Sequence, residues 1–155
     1  MISPELLRRY PFFAFLDDTQ QKALVMISEE ISVEEGTIIF QEGQPANALY
    51  LLIEGDVDLY FVPDGGNHHA LREPILVGEI NPGEPFGLSA LIEPYALNAT
   101  ARVARDSRVL KIEASALRAL CEVDSRLGYA LMRQVARSAL ERLAFTRIQL
   151  AAERV

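Results

Sequence analysis

Apolar and polar positions alternate along the chain in three regimes. Over the first 28 residues the apolar positions recur at helical spacing. Ser3 stands before Pro4, which fits an N-cap followed by proline at the first helical position, with Glu5 close behind. Tyr10-Pro11 closes that piece, because a residue preceding proline avoids the helical region. Asp17 or Asp18 is placed to cap a second helix through Ala23, Leu24 and Ile27. From about residue 30 to 112 the period shortens. Runs rich in β-branched and aromatic residues predict strands over Glu30–Val33, Thr37–Phe40, Ala48–Ile53, Val57–Val62, Pro74–Ile80, Ala99–Val103 and Arg108–Ile112. Glycines 36, 43, 55, 78, 83 and 87 punctuate them, and Pro63–Arg72, with Gly65-Gly66, His68 and His69, reads as a hairpin tip. Many short strands with regular turn signals predict a mainly β sandwich or barrel.

After Ile112 helical spacing returns. Ser115–Glu122 predicts a short helix, and no proline interrupts the chain from Asp124 to Val155. A helix of that length would extend about 45 Å at ~1.5 Å per residue. It carries two apolar stripes. Met132, Ala136, Ala139, Leu143, Thr146 and Leu150 recur at spacings of four and three, and Leu127, Leu131, Val135 and Leu140 form a neighbouring row. A body of this size has room to bury one stripe. The other is expected to pack against a copy of itself, as in a coiled-coil seam, and so to form a homodimer. The division expected is a body over 1–123 and a dimerisation helix over 124–155.

Composition narrows the function. The chain has 155 residues and a net charge of -7. Residues 124–155 hold six arginines against three acids, so the body is strongly acidic. An acidic body repels nucleic acid, whose affinity rests on phosphate neutralisation. The six arginines read as the wet face of a helix. One cysteine, Cys121, excludes an intrachain disulfide framework and a multi-cysteine metal site. It reads as a small core residue among Leu117, Leu120 and Val123. No apolar run approaches the ~18 residues of a membrane span, and the N-terminus lacks a signal-peptide order, so a soluble, cytoplasmic protein is expected. The two histidines, His68 and His69, are adjacent in a predicted loop. That makes a cupin-like metal enzyme a remote alternative, since such sites draw histidines and a carboxylate from separate strands. Neither a cofactor nor catalysis is expected.

Read in order, EEGTIIFQEG, ALYLLIEGDVDLY, VGEINPGEPFG and NATARVARDSRVLKI, with helices before and after, resemble the cyclic nucleotide-binding domain of the catabolite activator and protein kinase A regulatory subunit type. Gly36, Gly43, Gly55, Gly83 and Gly87 sit where that family has turn glycines. The resemblance implies an eight-stranded double-stranded β-helix, or jelly roll, with N-terminal helices and a long C-terminal helix. It also implies a regulatory, signal-transducing role with cAMP as the usual ligand. The family's phosphate-binding cassette runs Phe-Gly-Glu through Leu to Arg and Ala-Thr. Here the frame matches at Phe86, Gly87, Ala90, Leu91, Ile92, Ala99 and Thr100, with Ser89 and Asn98 between them. The two functional side chains differ. Leu88 stands for the glutamate that accepts from the ribose hydroxyl, and Leu97 stands for the arginine that pairs with the phosphate. Weak or lost nucleotide binding follows. Two accounts of the leucines stay open: an apolar plug, or a pocket retuned for another anionic or apolar effector. Arg102 and Arg72 are the candidate substitutes for the lost cation, though Arg102, five positions beyond Leu97, should face the other side of its strand. The family's transcription factors carry a helix-turn-helix after the long helix. None is expected in this chain, so any output would pass through a separate protein.

Overall fold

The structure, a computed structural model, describes residues 2–63 and 73–154. Hairpin-tip residues 64–72, with His68, His69 and Arg72, lie outside them. Helix α1 (Pro4–Leu7) and a 3-10 turn (Pro11–Phe13) lead to α2 (Asp18–Met26). Strands β1 (Ser28–Val33), β2 (Ile38–Phe40), β3 (Ala48–Phe61), β4 (Ile75–Ile80) and β5 (Pro85–Phe86) follow. A second 3-10 turn (Leu88–Leu91) precedes β6 (Thr100–Glu113), α3 (Ala114–Val123) and α4 (Ser125–Glu153).

Of the two candidate caps, Asp17 serves α2. Its carboxylate accepts from the Gln20 N–H at 2.7 Å, and the Gln20 side chain accepts in return from the Asp17 N–H at 3.0 Å. Ser3 holds the N-cap position of α1, but its hydroxyl donates to Glu5 and caps no backbone group. Asp124 caps α4 by accepting from the Leu127 N–H, and it also accepts from the Gln20 side chain at 3.0 Å. These bonds to the charged form, the Gln20 one foremost, hold its carboxyl below the usual aspartate range.

All strand pairs are antiparallel, in the order β1-β6-β3-β4, with β2 on β6 and β5 on β3. The roll has six strands among the described residues where the sequence predicts more. Strands β3 and β6, each 14 residues long, span two predicted strands apiece and pair from Ala48 opposite Glu113 to Tyr60 opposite Thr100. The register shifts between Leu52 and Val57. Gly55 therefore does not end a strand. With φ of 109° it forms a bulge that lets one ribbon bend through both layers. All five glycines carrying the family resemblance have positive φ.

The core gathers Leu49, Leu51, Val57, Val109, Leu110 and Ile112 from the long strands under Leu7, Phe13 and Leu24 from the N-terminal helices. Its inner end is aromatic. Tyr50 stacks on Phe86 at 5.1 Å, with Phe40 at 5.6 Å from Tyr50 and 6.0 Å from Phe86. Helix α4 buries Leu127, Leu131, Val135 and Ser138. Leu140, assigned to this stripe by sequence, is exposed. Helical period carries the inward face from Val135 to positions 138 and 142 instead. Cys121 is half-buried beside α4, with its thiol pushed up by burial and by Asp124 and Glu122. Its neighbour Val123 is exposed, not in the core as the sequence grouping has it.

Candidate ligand cavity

The Phe86 ring, fully buried on Tyr50, fixes the level of the segment that follows. Gly87, at φ 73° and ψ 37°, then turns the chain into the Leu88–Leu91 turn. A Cβ at Gly87 would sit 3.2 Å from both the Ala48 carbonyl and the Tyr50 ring, so the turn lies directly on the sheet. Arg118 of α3 holds this segment from behind. It donates to the Ala90 carbonyl at 2.7 Å and lies 4.1 Å over the Tyr95 ring. The cassette's far end is joined to the Gly43–Ala46 loop: Gly43 N–H donates to the Leu97 carbonyl at 2.7 Å, and Leu97 N–H to the Gln44 carbonyl at 2.9 Å.

In front of the turn opens a cavity of about 650 Å³. Gly87, Leu88, Ser89, Leu97, Asn98 and Ala99 line it, so six of the nine cassette residues singled out by sequence meet at one space. Phe86 and Ala90 do not reach it. Both are fully buried in the core, as supports. Thr100 lies in a separate depression with Ile38, Tyr60 and Arg102, where its hydroxyl accepts from the Glu42 N–H at 3.1 Å. Alternation along β6 sends these side chains to the other face, as expected for Arg102.

The opposite wall is α4. Met132, Ala136, Ala139, Leu143 and Thr146, five of the six predicted seam residues, line the cavity, while Leu150 lies beyond it. Met132, Leu143 and Leu150 are exposed at 38%, 46% and 58%. The face read as a seam is thus uncovered in the single chain and borders the pocket.

The same wall corrects the charge reading. Five of the C-terminal arginines are exposed, but Arg142 is half-buried and lies between this cavity and a second depression lined by Glu79, Glu84, Pro85 and Glu141. Its guanidinium donates to the Pro85 carbonyl, three residues before Leu88. Burial lowers its pKa to about 10, against the opposing pull of Glu84 and Glu141, and it remains a cation at neutral pH. Sequence reasoning named neither Arg142 nor Arg118 for the site. The signal for Arg142 was its place three and seven residues after Ala139 and Val135, on the face that meets the body.

A double-layered antiparallel roll with an αL glycine turn, and a long helix bordering a cavity over it, defines a domain with room for a small ligand. The family model for the cyclic nucleotide-binding domain matches residues 30–124, and the chain belongs to that family. It is 41% identical to a protein of Geobacter metallireducens GS-15 named for cyclic nucleotide binding. That crystal structure superposes with a TM-score of 0.81 over 92% of this chain and 99% of the other. The N-terminal domain of a transcriptional regulator from Streptomyces coelicolor A3(2) is 29% identical, with a TM-score of 0.67 over 88% and 93% of the two chains. The CRP-like cAMP-activated global transcriptional regulator of Mycobacterium tuberculosis is 26% identical over 134 residues. The chain spans only 57% of that regulator's length. No helix among the described residues is long and apolar enough to cross a membrane.

Proposed function

We propose that the chain is a non-enzymatic sensor module whose cavity is retuned away from cyclic nucleotides toward a less polar small ligand, and that it acts as a homodimer through α4. The observation that carries this reading is that Leu88 and Leu97 both line the same open cavity. Hydrocarbon stands where the family binds ribose and phosphate, and the leucines leave a space of about 650 Å³, which speaks for retuning over a plug. That volume falls in the range of about 300–1,000 Å³ typical of small-molecule sites. Losing one partner of a buried charged pair costs about 2–5 kcal/mol. Leaving a hydroxyl unpaired costs about 1–3 kcal/mol more. At about 1.4 kcal/mol per decade, the low end of that combined range takes a micromolar nucleotide site to about 0.1 mM and its middle takes it beyond about 1 mM.

Helix α4 offers one face to both the cavity and the proposed seam, so ligand occupancy and dimer geometry are coupled. A ligand acts by preferring one arrangement of α4 over another.

A neutral apolar dye, N-phenyl-1-naphthylamine, is expected to bind one equivalent per chain with a rise in fluorescence. Filling the space by Ala139→Phe, an exposed position on the cavity wall, is expected to abolish that rise. Binding unaffected by Ala139→Phe contradicts the cavity assignment. Ending the chain at residue 138 keeps the buried Leu127, Leu131 and Val135 but removes Ala139, Leu143, Thr146 and Leu150. Sedimentation is expected to find the full chain dimeric and the truncated one monomeric. A truncated chain that stays dimeric sinks the seam.

A further inference from the structure

We infer that the ligand of this cavity is an amphipathic organic anion, an apolar body carrying a carboxylate or sulfonate, and that Arg142 binds the anionic head. The inference rests on the proposed reading of the cavity as open and adds the chemical class of its occupant. The walls supply the apolar half: Leu59, Phe61, Val77, Leu88, Leu97 and Leu143 face the space. The polar side chains among the lining residues, Ser89, Asn98 and Thr146, are neutral. Arg142 is the only charged side chain among the described residues that line it.

Arg142 is also short of partners. A guanidinium has five N–H donors, and among the described residues Arg142 makes one hydrogen bond, to the Pro85 carbonyl. The ion pairs among the described residues are Arg8 with Asp18, Arg105 with Asp56, and Arg108 with Glu30 and Glu54. None includes Arg142, although Glu84 and Glu141 lie close enough to act on it through space. Arg142 is half-buried, with Glu84 and Glu141 near it but not in ion-pair contact, and a ligand carboxylate that reaches it gains a charge-assisted, two-pronged bond. The acidic chain, at net -7, offers no general attraction for anions. Among the described residues that line the cavity, Arg142 is therefore the charged group that can select for an anion. A cyclic nucleotide also carries an anion, but its ribose hydroxyl and phosphate would face Leu88 and Leu97. A hydrocarbon body suits those walls and needs only one polar anchor.

The competing role for Arg142 is a strap that fastens α4 to β5 through Pro85. Two dyes that differ in one group separate the roles. 1-Anilinonaphthalene-8-sulfonate carries an anion on the ring system of the neutral N-phenyl-1-naphthylamine. Arg142→Met is expected to weaken the sulfonate by about tenfold or more, the scale of a lost charged partner. Binding of the neutral dye is expected to persist, which also reports that the variant is folded. Arg142→Lys is expected to keep part of the preference. An equal weakening of both dyes by Arg142→Met assigns the arginine to the strap and overturns the inference, as does no weakening of either. Failure of the neutral dye to bind the unaltered chain is a different result: it removes the open apolar cavity itself, and the inference with it.

Discussion

The double substitution Leu88→Glu with Leu97→Arg is expected to raise affinity for cyclic AMP by about a thousandfold over the unaltered chain. The frame needed for such a gain is in place. The Gly87 turn has its αL geometry, Phe86 and Ala90 support it from the core, and Arg118 holds it at the Ala90 carbonyl. Both leucines already point into the cavity wall, whose volume accepts longer polar side chains. The added arginine returns a charged pair to the phosphate, and the added glutamate an acceptor to the ribose. Together they restore about 3–8 kcal/mol of lost contacts, of which imperfect geometry will realise a part. About 4 kcal/mol corresponds to three decades. Calorimetric titration of the two proteins, with each single variant between them, measures the gain. A double variant no better than the unaltered chain would mean that something other than the two leucines excludes the nucleotide.

The largest stability effect is expected at Gly55. A Cβ there would lie 2.0 Å from the Ser107 Oγ and 2.7 Å from its Cα. Rotating Ser107 cannot relieve a clash with backbone, and the Ser107 hydroxyl is itself held by the Asp56 N–H at 3.1 Å. The φ of 109° adds strain of about 1–3 kcal/mol for any L side chain. Gly55→Ala is therefore expected to cost about 4 kcal/mol in all, at the upper end for a point change. In a domain this size that lowers Tm by about 10 °C. Gly36→Ala is the control: φ is 88°, but nothing lies within 4 Å of the added carbon, so strain alone applies. Equal losses at the two sites, measured by denaturant unfolding, would contradict the bulge account.

The same residues show why the fold was legible and the site only partly so. Glycines at 36, 43, 55, 83 and 87 announce positive φ because other residues pay strain there, and all five have it. Yet Gly55 looks the same in sequence whether it ends a strand or bulges within one. The pairing of β3 with β6 across it depends on Ser107, about 50 residues away, and no local pattern encodes that. On α4 the helical period was legible, along with its start at Asp124. Which face meets the body was not. The inward row passes from Val135 through Ser138 to Arg142, and two polar residues there break the apolar stripe that periodicity follows. Reading on apolar residues alone led to Leu140, which is exposed, and left Arg142 among the solvated arginines. Leu88 and Leu97 were legible as departures from the family cassette, and the structure adds that they border one common space. Phe86, Ala90 and Thr100 belong to the family frame without touching the cavity, because a frame residue shapes the turn from below or from the strand's other face.

Displacement of a fluorescent cyclic nucleotide from the unaltered protein by unlabelled cyclic AMP addresses the central claim most directly. With hydrocarbon at positions 88 and 97, either no labelled nucleotide binds or half-displacement needs millimolar cyclic AMP. Saturable binding with half-displacement at micromolar cyclic AMP would contradict the account.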